Sequence, residues 1–205
     1  FIHTTATSPI GRGKTLPVGT VEQLSFVVLS CTNYPAGYFH PLKEALAGEH
    51  DAVLHVGDYI YEYGQGEYAT EDAEALGRVP DPPGEILTLS EYRTRYRQYR
   101  TDPDLQALHA RFPFILVWDD HEVADDAWRE GALNHDPATE GDYGQRRRQA
   151  MQAYYEWQPI RAPVSLDQLY RSFRFGDLVD LIMLDTRHVG RDQQLDFADY
   201  TNGDI

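Results

Sequence analysis

The run Ala52-Val-Leu-His-Val56, followed at once by Gly57-Asp58-Tyr59-Ile60-Tyr61-Glu62, constrains the chain more than any other stretch. Its largely apolar residues suit a short buried strand. A glycine ends the strand, and a carboxylate and a phenol stand just beyond it. Upstream, Leu24–Leu29 is rich in β-branched and aromatic residues and reads as a second strand, ending at Ser30-Cys31. Between the two, Leu42, Ala45 and Leu46 recur at helical spacing, with Pro41 in the first turn and Gly48 past the end. Strand, helix and strand in that order favour a parallel pair with a crossover helix, and hence an α/β fold.

The remaining chain extends the pattern. Glu62–Thr88 is polar and broken by Gly64, Gly66, Gly77, Pro80, Pro82, Pro83 and Gly84, so a long surface excursion is expected. Thr88-Leu-Ser-Glu91 has the form of a capping box opening a helix to about Tyr99, with Tyr92, Tyr96 and Tyr99 on one face as core residues. Asp102-Pro103 starts a short helix to about Ala110. Phe114–Trp118 is continuously apolar and reads as a central strand buried on both faces, ending at Asp119-Asp120-His121-Glu122. Asp125–Gly144 is expected to be an acidic loop, and Gln145–Trp157 a helix stopped by Pro159. Tyr170–Phe175 and Leu178–Leu184 flank Gly176-Asp177 as a hairpin whose second strand leads to Asp185-Thr186-Arg187. Phe1–Gly19, with Ser8-Pro9, Gly11, Gly13 and Pro17, reads as a strand end followed by a linker, and Asp192–Ile205 as a polar segment.

Charge narrows the partners. A net charge of −15 argues against nucleic acid or an anionic membrane surface as the main partner, since both are polyanions. Excess carboxylate suits hard cations, although a solvated acidic surface accounts for much of it. No stretch is long and apolar enough to span a bilayer as a helix. The lone Cys31 has no partner for an internal disulfide.

Four predicted strands thus end in reactive groups: Cys31, then Asp58 and Tyr61, then the run from Asp119 to Glu122, then Asp185 and Arg187. In open α/β sheets ligands bind outside the carboxyl ends of the strands, so these ends are expected to meet. Thiolate and phenolate donors suit a strongly Lewis-acidic metal such as ferric iron, and carboxylates suit calcium, magnesium or manganese. Asp58 is the candidate bridge between two metals, a histidine could serve the leaving oxygen, and Arg187 could hold a phosphate oxygen. Taken singly, each residue has a plainer reading. Cys31 could be a small core residue, Tyr61 core or rim, the acidic run a helix start, and Asp185 with Arg187 a surface ion pair. Their joint position at strand ends selects Cys31, Asp58, Tyr61, Asp119, Asp120 and His121 as site residues, with Arg187 beside them and Glu122 outside the set.

The combination resembles a known family. Gly57-Asp58-x-x-Tyr61 is similar to the second metal motif of purple acid phosphatases among the calcineurin-like metallophosphoesterases. Asp119-Asp120-His121-Glu122 is similar to their Gly-Asn-His-Glu motif, and Ser30-Cys31 stands where most members carry Asp-x-His. That set, with Ala153–Arg161 and Leu184–Arg187, resembles the alkaline phosphatase D family, which includes phosphodiesterases and a class of phospholipase D; the likeness runs from about Val21 to Arg187.

The resemblance implies a metallophosphoesterase-like αββα sandwich, about its first half, with a mixed sheet carrying the metal site at the carboxyl ends of its strands. It implies Cys31 and Tyr61 as iron ligands, Asp58 as the bridge, Asp119 and Asp120 at a second site holding calcium, with other divalent metals open, and His121 facing the transition state. The implied reaction is metal-dependent hydrolysis of phosphate mono- or diesters, or of a phospholipid headgroup, by a metal-bound hydroxide, in an exported protein of the cell envelope or exterior. The family's later Gly-Asp-x-His motif has no match here. Residues 1–18 are therefore expected to be the tail of an upstream β-sandwich domain and a linker, and 19–205 the N-terminal half of the catalytic domain. The C-terminal part of the same precursor would supply further ligands, and a non-catalytic cation-binding or interaction fragment is the alternative.

Overall fold

In the computed structural model, which describes residues 7–161 and 164–195, β1 (Phe26–Leu29) and β2 (Ala52–His55) are parallel neighbours in register Phe26 to Ala52 through Leu29 to His55. The crossover helix α1 (Pro41–Ala47) lies between them in sequence, with proline in its first turn as expected. β3 (Phe114–Leu116) pairs in parallel with the other edge of β2, giving the order β1-β2-β3. All of β2 and β3 is buried, which is why both read as unbroken apolar runs and not as alternating ones.

Helices cover this sheet. After the short helix α2 (Ala73–Leu76), α3 (Leu89–Tyr99) opens on a complete capping box between Thr88 and Glu91, and it buries Tyr92, Tyr96 and Tyr99 in the core. α4 (Pro103–Arg111) is capped by Asp102, whose Oδ1 accepts from Asp104 N at 3.0 Å and Leu105 N at 3.1 Å. The 125–144 segment is not wholly loop. It contains α5 (Pro137–Glu140), and Asp142 caps α6 (Tyr143–Trp157) two residues earlier than periodicity suggests, taking Gln145 N at 2.7 Å. α6 packs along α3, and α1 along α4. No helix among the described residues is long and apolar enough to cross a membrane.

Two expectations change. The excursion after Glu62 does run along the surface, with Gly66, Glu67 and Tyr68 exposed, but it is anchored at Glu62, Ala73, Arg78 and Ile86, which are all buried. A buried loop must satisfy its backbone, and the fully buried Arg95 of α3 does so, donating to the carbonyls of Tyr63 at 2.8 Å, Pro82 at 2.9 Å and Gly84 at 3.2 Å. The second change concerns the sheet. β4 (Arg171–Phe175) and β5 (Val179–Met183) form the expected hairpin, but as a separate antiparallel sheet and not as part of one mixed sheet. Their burial alternates along the strand, so one face is apolar and one wet, which a two-stranded ribbon can satisfy and a central parallel position cannot. The end of β5 still comes beside the end of β3, since Arg171, paired with Met183, donates to Leu116 O and Asp185 accepts from Trp118. Of the expected linker and tail, residues 1–6 and 196–205 lie outside the described residues.

Candidate metal centre

The first two strand ends are fastened by backbone bonds that continue past the strands. Cys31 N donates to Gly57 O at 3.1 Å and Thr32 N to Asp58 O at 2.9 Å. Both Cys31 (φ +56°) and Asp58 (φ +55°) take the left-handed conformation that side chains other than glycine avoid. Such strain costs on the order of 1–3 kcal/mol per residue and persists only where the surroundings enforce it. Gly57 (φ +115°) has a second reason to lack a side chain: a Cβ there would collide with Cβ and the backbone nitrogen of Asp119. The third strand end can approach only because that space is empty.

Glu122 ties the three ends together. It is buried, and its carboxylate accepts from Asp58 N at 3.1 Å, Tyr59 N at 2.6 Å and Asp119 N at 2.8 Å. Burial and the nearby Asp58 carboxylate push its pKa up; the three N–H groups work against that by stabilising the ionised form. The residue left outside the expected set is thus the clamp that holds the set in place.

Around Asp58 the predicted donors meet. One oxygen, Oδ2, accepts from the Cys31 thiol at 3.3 Å and from the Tyr61 hydroxyl at 3.4 Å. The other, Oδ1, is buried without a hydrogen-bond partner. Donor atoms of Asp58, Asp120 and His121 all lie within 4.8 Å of one another. Lost hydration raises the pKa of Cys31, Asp58, Tyr61 and Asp120 alike; neighbouring anions add to the rise, Asp58 for Cys31 and Tyr61, and Asp119 and Asp120 for Asp58. Cys31 is exposed at the rim, while Asp58, Tyr61 and Asp120 are buried; acids that raise one another's pKa, with one carboxylate oxygen unpartnered, are short of positive charge. These residues fit a bound cation: thiol, phenol and shared carboxylate on one side, carboxylates on the other.

Asp119 and Arg187 take up a different arrangement from the one their roles suggested. The Asp119 carboxylate turns to Arg187, accepting from its Nε and, at 3.3 Å, its Nη2. The same guanidinium lies 3.1 Å from Asp126 and 3.4 Å from Asp120. Arg191 adds a second cation on Asp126 at 3.1 Å. Arg187 reaches the site although β5 is outside the parallel sheet, because Asp185 anchors its turn. Asp185 accepts from Trp118 Nε1 at 2.9 Å and from the backbone N–H groups of Arg187 and His188 at 2.9 and 2.8 Å.

His121 is held on two sides. Its ring stacks on Tyr61, with centroids 4.3 Å apart, and its Nδ1 lies 2.8 Å from Oε2 of the buried Glu62. Burial pushes its pKa down, but Glu62 above all, with Asp120 and Asp58, more than reverses this and holds it at about 9. Glu62, Asp126 and Arg191 were not among the expected site residues. Glu62 directly follows the Gly-Asp-x-x-Tyr motif, and that adjacency is the one signal for it in the sequence.

Comparison with known proteins places the fold. Alkaline phosphatase D of Bacillus subtilis (strain 168) is 41% identical over 192 residues, covering 91% of this chain and 32% of that protein. A solved structure of PhoD superposes with a TM-score of 0.81 at 40% identity, over 91% of this chain and 36% of that one. The chain spans about a third of the length of each. The sequence model of the PhoD-like phosphatases matches residues 26–204, most of its length, and the chain belongs to that family.

Proposed function

We propose that this chain carries the metal-site half of a phosphoesterase that hydrolyses phosphate mono- or diesters, a phospholipid headgroup among the candidates. One observation carries the proposal: the single Asp58 carboxylate meets the Cys31 thiol and Tyr61 hydroxyl on one side and lies within 4.8 Å of Asp120 and His121 on the other. In this reading Cys31, Asp58 and Tyr61 would hold ferric iron, and Asp58, Asp120 and Asp119 would hold calcium. The bound cations supply Lewis-acid polarisation of a phosphoryl oxygen and lower the pKa of an attacking water.

The chain's own residues do the rest. Glu122 fixes the backbone of the strand ends, so only side chains need to move, Asp119 among them, which must turn from Arg187. His121, stacked on Tyr61 and held by Glu62, is placed to present a proton to the leaving oxygen. Arg187 neutralises Asp119, Asp120 and Asp126 here; its planar fork suits a non-bridging phosphate oxygen once those carboxylates are engaged elsewhere. The same reading makes 19–205 the first half of an αββα sandwich, 1–18 the end of an upstream β-sandwich domain with its linker, and the rest of a longer precursor the source of further ligands. Export to the cell envelope or exterior rests on the family resemblance alone.

A second reading is supported by the chain's covering only 32% of its relative: a cation-binding piece that does not turn over by itself. Loading the purified chain with ferric iron and calcium separates the two. A visible tyrosinate-to-iron absorption lost in Tyr61→Phe, with chelator-sensitive hydrolysis of p-nitrophenyl phosphate or bis-p-nitrophenyl phosphate, supports the enzyme. The absorption without hydrolysis supports the binding piece. Hydrolysis undiminished by removing the metals would defeat both.

A further inference from the structure

Glu62 has no part in the metal site described above, yet it is completely buried and makes three hydrogen bonds. Oε2 meets His121 Nδ1 at 2.8 Å; Oε1 accepts from Asp125 N at 2.6 Å and from Asn134 Nδ2 at 2.8 Å. The Asn134 amide is itself oriented, since its nitrogen also donates to Glu85 at 3.2 Å and so faces two carboxylates. An ionised carboxylate only accepts hydrogen bonds. The His121 nitrogen facing Glu62 must therefore carry a proton, whether the ring is neutral or charged. The nitrogen left for chemistry is Nε2, which lies 3.9 Å from Asp125, beyond hydrogen-bond range.

We propose that Glu62 is the positioning residue of this site, fixing the proton of His121 on Nδ1 and so reserving Nε2 for exchange with the substrate's leaving oxygen. The chemical use of Nε2 rests on the phosphoesterase reading; the assignment of the ring does not. Glu62 acts through His121 and does not touch the substrate. Asp125 N–H and Asn134 hold the other end of its carboxylate, so its orientation is set by the loop after Glu122 and not by the histidine.

That arrangement makes Glu62→Gln an informative variant. The two donors on Oε1 keep the amide oxygen where Oε1 was, which turns the amide NH2 toward His121. In the neutral ring Nδ1 must then accept, and the single ring proton sits on Nε2. Shape, volume and two of the three hydrogen bonds are retained, so the change isolates the tautomer.

The test is nitrogen-15 NMR of the His121 ring in the metal-free chain, on the alkaline side of its titration where the ring is neutral and carries one proton, followed by steady-state hydrolysis of p-nitrophenyl phosphate by the metal-loaded chain. The expected results are a protonated Nδ1 in the wild type, an unprotonated Nδ1 in Glu62→Gln, and a fall in kcat of about 10²–10⁴-fold with KM changed by no more than about threefold. A merely structural role would leave the tautomer unchanged. A wild-type Nδ1 without a proton, a Glu62→Gln ring that keeps its Nδ1 proton, or an inverted ring with undiminished kcat would each overturn the proposal. If the wild-type chain hydrolyses nothing, the phosphoesterase reading of this chain alone fails, and the ring assignment still decides the role of Glu62.

Discussion

Two buried acidic clusters lie side by side in this molecule, and they are balanced in opposite ways. Around Arg146 each carboxylate shares the one guanidinium: it bonds Glu85 at 2.6 Å, Glu140 at 3.3 Å, the Tyr92 hydroxyl at 3.0 Å and the Ile86 carbonyl at 3.1 Å. Around Asp58 the acids share donors with one another, Oδ1 has no partner, and two residues hold left-handed backbone. Both clusters are rich in carboxylate, so acidity does not distinguish them. The missing positive charge does. A neutralised network holds a fold together, whereas one short of cation, kept short by enforced strain, is a place prepared to receive one.

The comparison breaks first at Arg146. If that cluster is structural, Arg146→Met strands Glu85 and Glu140 and lowers the unfolding free energy by about 3–5 kcal/mol, the usual cost of removing one partner of a buried ion pair. Chemical denaturation measures it. A loss below about 1 kcal/mol would mean that the network is loosely held and that the contrast with Asp58 is overstated. Next comes Gly57→Ala, which forces a Cβ against Asp119 at φ +115° and is expected to cost about 3 kcal/mol. Unlike Arg146→Met, it should also weaken cation binding, because it moves the third strand end away from Asp58.

The histidines divide along the same line. His121 has a carboxylate and is held at about 9; His55 is fully buried without one, and loss of hydration takes it to about 3. In the unfolded chain His55 titrates near 6.5, so below that pH the unfolded state binds a proton that the native state refuses. Its contribution to stability is intact above pH 6.5 and is lost as pH falls from 6.5 toward 3. Between pH 7.5 and 5.5 this amounts to about 1 kcal/mol. Replacing it in His55→Gln should make the stability profile shallower by that amount over this interval. An unchanged slope would show that His55 takes up a proton within the fold.

Much of the candidate site's clustering was legible because its signals are local. Cys31, Asp58 and Tyr61 sit at or just past strand ends, and a run such as Ala52–Val56 followed by glycine announces its own end. The crossover unit, the capping box at Thr88 and the hairpin were readable for the same reason. What stayed hidden depends on partners far along the chain. Glu62 is buried because His121, Asp125 and Asn134 reach it from 59, 63 and 72 residues away. The excursion after it looked wholly solvated because glycines and prolines dominate it, and the donors that anchor it, Arg95, Gln98 and Arg146, lie on other elements. The separation of β4 and β5 from the parallel sheet turned on which faces found cover, and strand patterning alone did not specify that.

The smallest expected change in stability is also the sharpest discriminator. Asp58→Asn removes a carboxylate that stands among other acids with one oxygen unpartnered, and it leaves a neutral amide of the same shape. In the metal-free chain this relieves repulsion and desolvation, so stability is expected to stay level or to rise by up to about 1 kcal/mol. Calcium and ferric-iron affinity, read by calorimetry or by thermal shift on adding the ions, should fall by at least about 100-fold, since the shared ligand is gone. A residue whose removal steadies the empty fold while abolishing the ion-dependent gain in stability is maintained for binding. Were Asp58→Asn to destabilise the metal-free chain as severely as Arg146→Met, Asp58 would belong with the neutralised network, and the unpartnered oxygen would mark a structural hydrogen bond to water, not the bridge of a metal centre.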